Sequence, residues 1–498
     1  MATGPRAVVI GSGVGGLAAA IRLACSGHSV DVFEAADGPG GKLSEFRIGG
    51  YRFDRGPSLF TRPDLIEELF QLAGVPVEAH FRHQRLDEAN RYFWEDGTRL
   101  TAWSDPERMA REMEARLGVD ARRVLRYLER SADLMQSTGS TFLEHSLHAW
   151  SDLRKGDVPG AMRRIRWPEL FGSLHDVNRK ELGHDKAVQL FDRYATYNGS
   201  DPFRTPGLMR MIPALEHGDG VFLPKGGMYS ITRALHELAE RVGVRFHFNA
   251  PVERILLGPE GRSVQGVQVN GAPHSADVVM SNMDVVPTYR HLLPDTPAPE
   301  RILRQERSSS AIVFYWGVRT VHPDLGLHNI LFTKDSRAEF RSLFQDLTVC
   351  DDPTVYINIT SIHEPGDAPT GRSNWFTMVN APRDAGQFGP ELIQRVRRQV
   401  MDKVQRTLGL DLSPLIEVEE VLDAPAIQQL TSSHAGSLYG TASNSPLSAF
   451  LRHPNFHRRT KGLFFCGGSV HPGGGIPLAL LSARIAAYFA NSRTHAPA

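Results

Sequence analysis

Gly11, Gly13 and Gly16 stand in G-x-G-x-x-G spacing, and a carboxylate, Glu34, follows some distance on. The first glycine of such a set permits a tight turn, the second lets backbone approach a pyrophosphate, and the third lets a helix lie close on a strand. An acid about twenty residues further on accepts hydrogen bonds from a ribose. The chemistry is that of holding a dinucleotide, and it needs particular elements around it. Ala7 to Ile10 is a short apolar run rich in β-branched residues, suited to a buried parallel strand. Leu17 to Ala24 is mostly Ala, Leu and Ile, which predicts a helix ended by Gly27. Val30 to Phe33 then forms a second strand, closed by Glu34. The ligand's anion falls at the helix N-terminus, so Val14 and Gly15 join the three glycines as expected contacts.

This fingerprint is common to NAD and FAD sites. Three further features favour FAD. Pro39-Gly40-Gly41-Lys42 is either a second place where backbone lies close to an anion or a surface turn. Near the other end, Gly462 to Phe465 predicts a strand, and Cys466-Gly467-Gly468 and His471 to Pro477 lead into an apolar helix from Leu478. A flavin ring needs more enclosure than one mononucleotide half provides, and a returning distant segment supplies it. No second G-x-G-x-x-G precedes an apolar helix in mid-chain, so electrons are expected to leave to oxygen or a quinone.

The 498 residues suffice for two or three lobes. Lys plus Arg and Asp plus Glu balance at 56 each, so nucleic acid is not an expected partner. Three cysteines, Cys25, Cys350 and Cys466, form neither a disulfide framework nor a zinc motif, and a reducing compartment fits. Neither a secretory leader nor an apolar run of about 18 residues is visible, so any membrane contact is expected to be peripheral, on the cytoplasmic side.

Together these elements resemble the bacterial phytoene desaturase type of carotenoid desaturases, within the wider amine oxidase-like flavoproteins. The match runs through nearly the whole chain. It includes Phe53-Asp54-Arg55-Gly56-Pro57-Ser58, Glu216 with Gly220 to Met228, Asn249-Ala250-Pro251-Val252, Ala276 to Val279 with Asn282 and Asp284, and His471 to Pro477. The resemblance implies that Gly11, Gly13 and Gly16 hold the FAD pyrophosphate and Glu34 the adenosine ribose. Gly40, Gly41, Lys42, Gly467, Gly468, Gly474 and Ile476 would approach the isoalloxazine, and Val252 would present its backbone to the adenine. Leu478 departs from the glycine that many such desaturases carry after the final Ile-Pro. Tyr92 to Thr98, Thr196 to Ser200 and Leu478 to Ser482 are most similar to the 1-hydroxycarotenoid 3,4-desaturase subgroup. Phytoene and diapophytoene desaturases share nearly everything else.

The implied fold class is α/β. A Rossmann-like, discontinuous FAD-binding domain is assembled from residues 1–60, 225–290 and 455–498. A mixed α+β substrate domain with a helical part comprises 61–224 and 291–454. Short strands are predicted at 244–248, 252–257, 264–269 and 278–280, helices over 106–145, and a frayed end from Asn491. In 142–175, Phe142, Trp150, Trp167, Leu170 and Phe171 accompany Lys155, Arg163, Arg164 and Arg166, as in a membrane headgroup layer or an ordinary basic face. An implied linear carotenoid, soluble in lipid, favours the membrane surface.

Desaturation removes two hydrogens from adjacent carbons, and the protein's main task is alignment. No catalytic residue is assigned. Asp54 and Arg55 are expected to form an ion pair supporting their turn, and His471 is either a buried packing residue or a flavin contact. Cys466 is expected in the core, and His453 and His457 lack the acidic company of a metal site. Amine or porphyrinogen oxidases and flavin-bearing isomerases would keep the same glycines.

Overall fold

The computed structural model describes residues 4–494. β1 (Arg6–Ile10) lies at the centre of a five-stranded parallel sheet, between β2 (Ser29–Phe33) and Val278–Ser281. Leu463–Phe465 and Arg245–His247 add the outer strands. Both faces of β1 are covered, which is why it is apolar without alternation. On one face lie α1 (Val14–Cys25), Tyr229–Arg241 and the C-terminal helix Ile476–Thr494; on the other lies a three-stranded sheet over Val252–Leu257, Val264–Val269 and Ala272–Ser275.

Two helix starts fall earlier than the sequence predicts. α1 begins at Val14 rather than Leu17, because Gly13 takes extended backbone and serves as the N-cap. The C-terminal helix begins at Ile476 rather than Leu478, Pro477 occupying a first-turn position where its missing N–H costs nothing. That helix also includes Asn491 to Thr494, so the frayed end expected from Asn491 is a helical turn; residues 495–498 lie outside the described residues.

A second sheet has seven strands. Their order is Ile416–Leu422, Ser310–Val318, Ser373–Ala381, Val355–Asn358, His328–Leu331, Glu88–Phe93 and Arg99–Trp103. Ser310–Val318 is buried along its whole length, between the helix Pro390–Leu408 and the hairpin formed by Ser44–Ile48 and Tyr51–Gly56. The helices Pro106–Leu117 and Ala121–Leu134 complete this lobe. Both start at an aspartate, Asp105 and Asp120, whose side chain caps the first turn.

Candidate active site

The glycine turn is built as its spacing requires. Gly11 has φ +87°, and a Cβ on Gly16 would stand 2.0 Å from the Gly11 carbonyl oxygen. No side chain caps α1, so the N–H groups of Val14, Gly15 and Gly16 are left to bind an anion. At the end of β2, the Glu34 carboxylate accepts from Ser12 N (2.7 Å), Ser12 Oγ (2.8 Å) and Ala36 N (2.9 Å). Glu34 O accepts from Ala250 N (2.8 Å), which brings Val252, at the start of its strand, to this end of the sheet.

Three more turns converge here. Gly40 N donates to Ser12 O (3.0 Å), and a Cβ on Gly41 would lie 3.6 Å from the Gly13 Cα. Lys42 follows, with Nζ donating to Leu438 O at 2.8 Å. Burial pushes its ammonium down to about 8, an effect Asp284 opposes and Arg307 reinforces. From the C-terminal side, Gly467 approaches Gly15, while Gly468 lies against Gly474 and Gly474 against Tyr439. The buried Ile476 opens the helix beyond.

These features fit FAD. The uncapped helix end offers donors to a pyrophosphate, and side chains at Gly13, Gly15 and Gly16 would collide with Asn282 or with backbone. The Lys42 ammonium, donating to the Ser437 and Leu438 carbonyls, adds positive potential on the same side.

Against the C-terminal turn lies a narrow apolar cavity. Phe142, Leu143, Met209, Met211 and Phe450 line it together with His471 and Pro472. The lining contains no carboxylate and no amine. His471 is buried, its Nε2 2.9 Å from His145 O, and burial pushes it to about 3, so the ring is neutral.

The chain matches the family described as flavin containing amine oxidoreductase over residues 14–488. It belongs to that family. FAD is therefore its cofactor. Within the family it stands among the carotenoid desaturases. It is 48% identical over 482 residues to a 1-hydroxycarotenoid 3,4-desaturase of Flavobacterium sp., covering 97% of this chain and 98% of the relative. A zeta-carotene-forming phytoene desaturase of Myxococcus xanthus is 33% identical, covering 97% and 93%. Among solved structures, an oxidoreductase from Methanosarcina mazei superposes with TM-score 0.63 at 15% identity, covering 96% and 99%. Cyclohexylamine oxidase from Brevibacterium oxydans gives 0.63 at 15%, covering 99% and 100%. At such identity these two speak for the fold alone.

Several side chains of the flavoprotein take other roles than their sequence neighbours suggest. Asp54 pairs with Arg52 (2.7 Å), not Arg55, and accepts from Met228 N and Tyr229 N (both 3.0 Å). Residues 52 and 54 share one face of the strand, whereas Arg55 points the other way and lies over the Phe46 ring. Cys466 is fully buried, which pushes its thiol up and keeps it unreactive. Asn282, quoted above for resemblance alone, proves central: its side chain underlies Gly11, Gly13, Gly15, Gly16 and Gly467 at once. Its place just beyond the strand Val278–Ser281 was the only local signal.

Proposed function

We propose that this chain introduces the C-3,4 double bond into a 1-hydroxycarotenoid. The observation that carries the reading is the apolar cavity lined in part by His471-Pro472, next to the C-terminal glycine turn. The 48% identity to a desaturase of that activity supports the choice of substrate. Bound FAD supplies a two-electron oxidant for the hydrogens removed from adjacent carbons. The chain's own residues hold the polyene. The Met and Phe side chains offer an apolar surface to part of the polyene, and neutral His471 adds no charge that would draw water in.

The same segment that lines the cavity carries exposed aromatics outside. Trp150, Trp167 and Phe171 are more than two-thirds exposed, and the Trp167 and Phe171 rings stack at 5.2 Å. Exposed Arg163, Arg164 and Arg166 adjoin them. Among the described residues no helix is long and apolar enough to cross a membrane. These features support peripheral docking on a membrane, from which the substrate enters. The three unpaired cysteines suit the cytoplasmic face. Oxygen or a membrane quinone takes the electrons.

The holoprotein, given 1-hydroxylated and non-hydroxylated carotenoids in vesicles, tests this. Loss of two mass units with a red-shifted absorbance, confined to the hydroxylated compounds, is expected. Equal action on phytoene would overturn the substrate assignment.

A further inference from the structure

In a 1-hydroxycarotenoid the carbinol carbon bears two methyl groups and lies two bonds from C3, one of the carbons that lose hydrogen. The group that reads its hydroxyl must therefore be a lone polar atom in a largely apolar pocket, close to the reacting bond. The cavity against the C-terminal turn has such an atom. Ten residues line it, and only Thr138 and His471 bring a side-chain oxygen or nitrogen. His471 Nε2 is taken by the His145 carbonyl at 2.9 Å. Thr138 is 1% exposed, and among the described residues its Oγ1 has no hydrogen-bond partner.

That hydroxyl is idle where its neighbours are not. Thr138 lies in the π-helical turn Met135–Gly139, which continues the helix Ala121–Leu134. Four other hydroxyls along this stretch, those of Ser131, Ser137, Ser140 and Thr141, each donate to the carbonyl four residues back. Such a bond is how a serine or threonine in mid-helix ordinarily finds a partner. Thr138 makes none, so its oxygen keeps both a hydrogen and lone pairs for a ligand, whichever way the hydroxyl is turned. A buried hydroxyl in this state carries a desolvation cost that an answering group removes. Single π turns inside α-helices recur at functional sites. This one also stands where the two lobes meet, because Leu143 just beyond it packs against the core of the parallel sheet and against that of the helical lobe.

We propose that Thr138 hydrogen-bonds the tertiary hydroxyl of the substrate, while Phe142, Met209, Met211 and Phe450 receive the methyl groups beside it. This rests on the 1-hydroxycarotenoid reading above. Both hydroxyls donate and accept, so they pair in either sense. A carotenoid lacking the hydroxyl sets carbon against Oγ1 and leaves that desolvated group unanswered, which disfavours it. Thr138 is a specificity-determining residue and takes no part in the removal of hydrogen.

The test titrates flavin-loaded protein with the 1-hydroxycarotenoid and with the same polyene lacking the hydroxyl, each in phosphatidylcholine vesicles. Perturbation of the flavin absorbance reads the affinity. Wild type is expected to bind the alcohol about tenfold more tightly. Thr138→Val keeps the shape and removes the hydroxyl. It should weaken the alcohol alone and bring the two ligands within about twofold, with KM for the alcohol rising more than kcat falls. Thr138→Ser, which keeps the hydroxyl, should restore most of the preference. If wild type prefers the alcohol and Thr138→Val keeps that preference, even with both ligands weakened, Thr138 only packs and the inference is wrong while the substrate reading stands. No preference in wild type at all would bring down the substrate reading together with the inference. Should Thr138→Val lose its flavin, Thr138→Ala, which adds no atom, decides the matter by the same comparison.

Discussion

Gly15 and Gly467 face each other so closely that a Cβ on Gly15 would lie 3.2 Å from the Gly467 Cα. The same atom would stand 2.7 Å from Asn282 Oδ1. Two turns from opposite ends of the chain thus meet at the proposed flavin site, with Asn282 as the spacer. Gly15→Ala should push them apart at a cost of about 1–3 kcal/mol. The purified variant is expected to carry roughly a tenth of the wild-type flavin, read from the ratio of visible to ultraviolet absorbance. Gly13→Val should do worse, since even its Cβ would sit 2.9 Å from Asn282 Nδ2. Full flavin content in either protein would contradict this geometry.

Lys42 makes FAD affinity depend on pH. Its ammonium favours an anionic ligand and is lost above about 8 in the free protein. Binding an anion raises that value, so affinity is greatest below pH 8 and declines as pH climbs through the window above it. Quenching of FAD fluorescence on reconstitution should trace this decline in wild type. Lys42→Met should bind more weakly at pH 7 and lose the slope, and a slope that survives would assign the effect elsewhere.

Trp167 and Phe171 should govern membrane binding without touching the flavin. The double variant Trp167→Ser, Phe171→Ser removes two exposed stacked rings. Co-sedimentation with anionic vesicles should fall several-fold, since each interfacial ring contributes on the order of 1–2 kcal/mol. Turnover of vesicle-borne substrate should fall with it, while turnover in detergent is retained. Equal losses in both media would point to a folding defect instead.

Glu169 anchors the short helix Trp167–Phe171 that carries those rings. It is 1% exposed and accepts from Arg130 at 2.6 and 2.9 Å and from Arg166 N at 2.8 Å, with Arg210 at 3.8 Å. Glu169→Gln leaves buried guanidinium groups undercompensated, at a cost of about 3 kcal/mol. Trypsin is expected to cut at Arg163, Arg164 or Arg166 markedly faster than in wild type. Unchanged digestion kinetics would mean that the helix is held by packing alone.

Much of the dinucleotide unit was legible because its determinants are local. A strand, a glycine turn, a helix and an acid within the first 34 residues specify one another through backbone geometry and short-range packing. The 142–175 segment was legible only as two alternatives, since a string of aromatic and basic residues does not say which side chains turn outward. The structure buries Glu169 and exposes Trp167, which only the folded chain could assign.

Residue types alone thus determined the strand, glycine turn, helix and closing acid of a dinucleotide-type unit, with a second glycine-rich turn far along the chain. Only the tertiary structure decided that Asn282 spaces the two turns, that Asp54 answers Arg52 rather than Arg55, and that Thr138 and His471 line one cavity. Those residues come from strands, helices and turns up to hundreds of positions apart, and a hydrogen bond depends on a separation near 3 Å that sequence spacing does not encode.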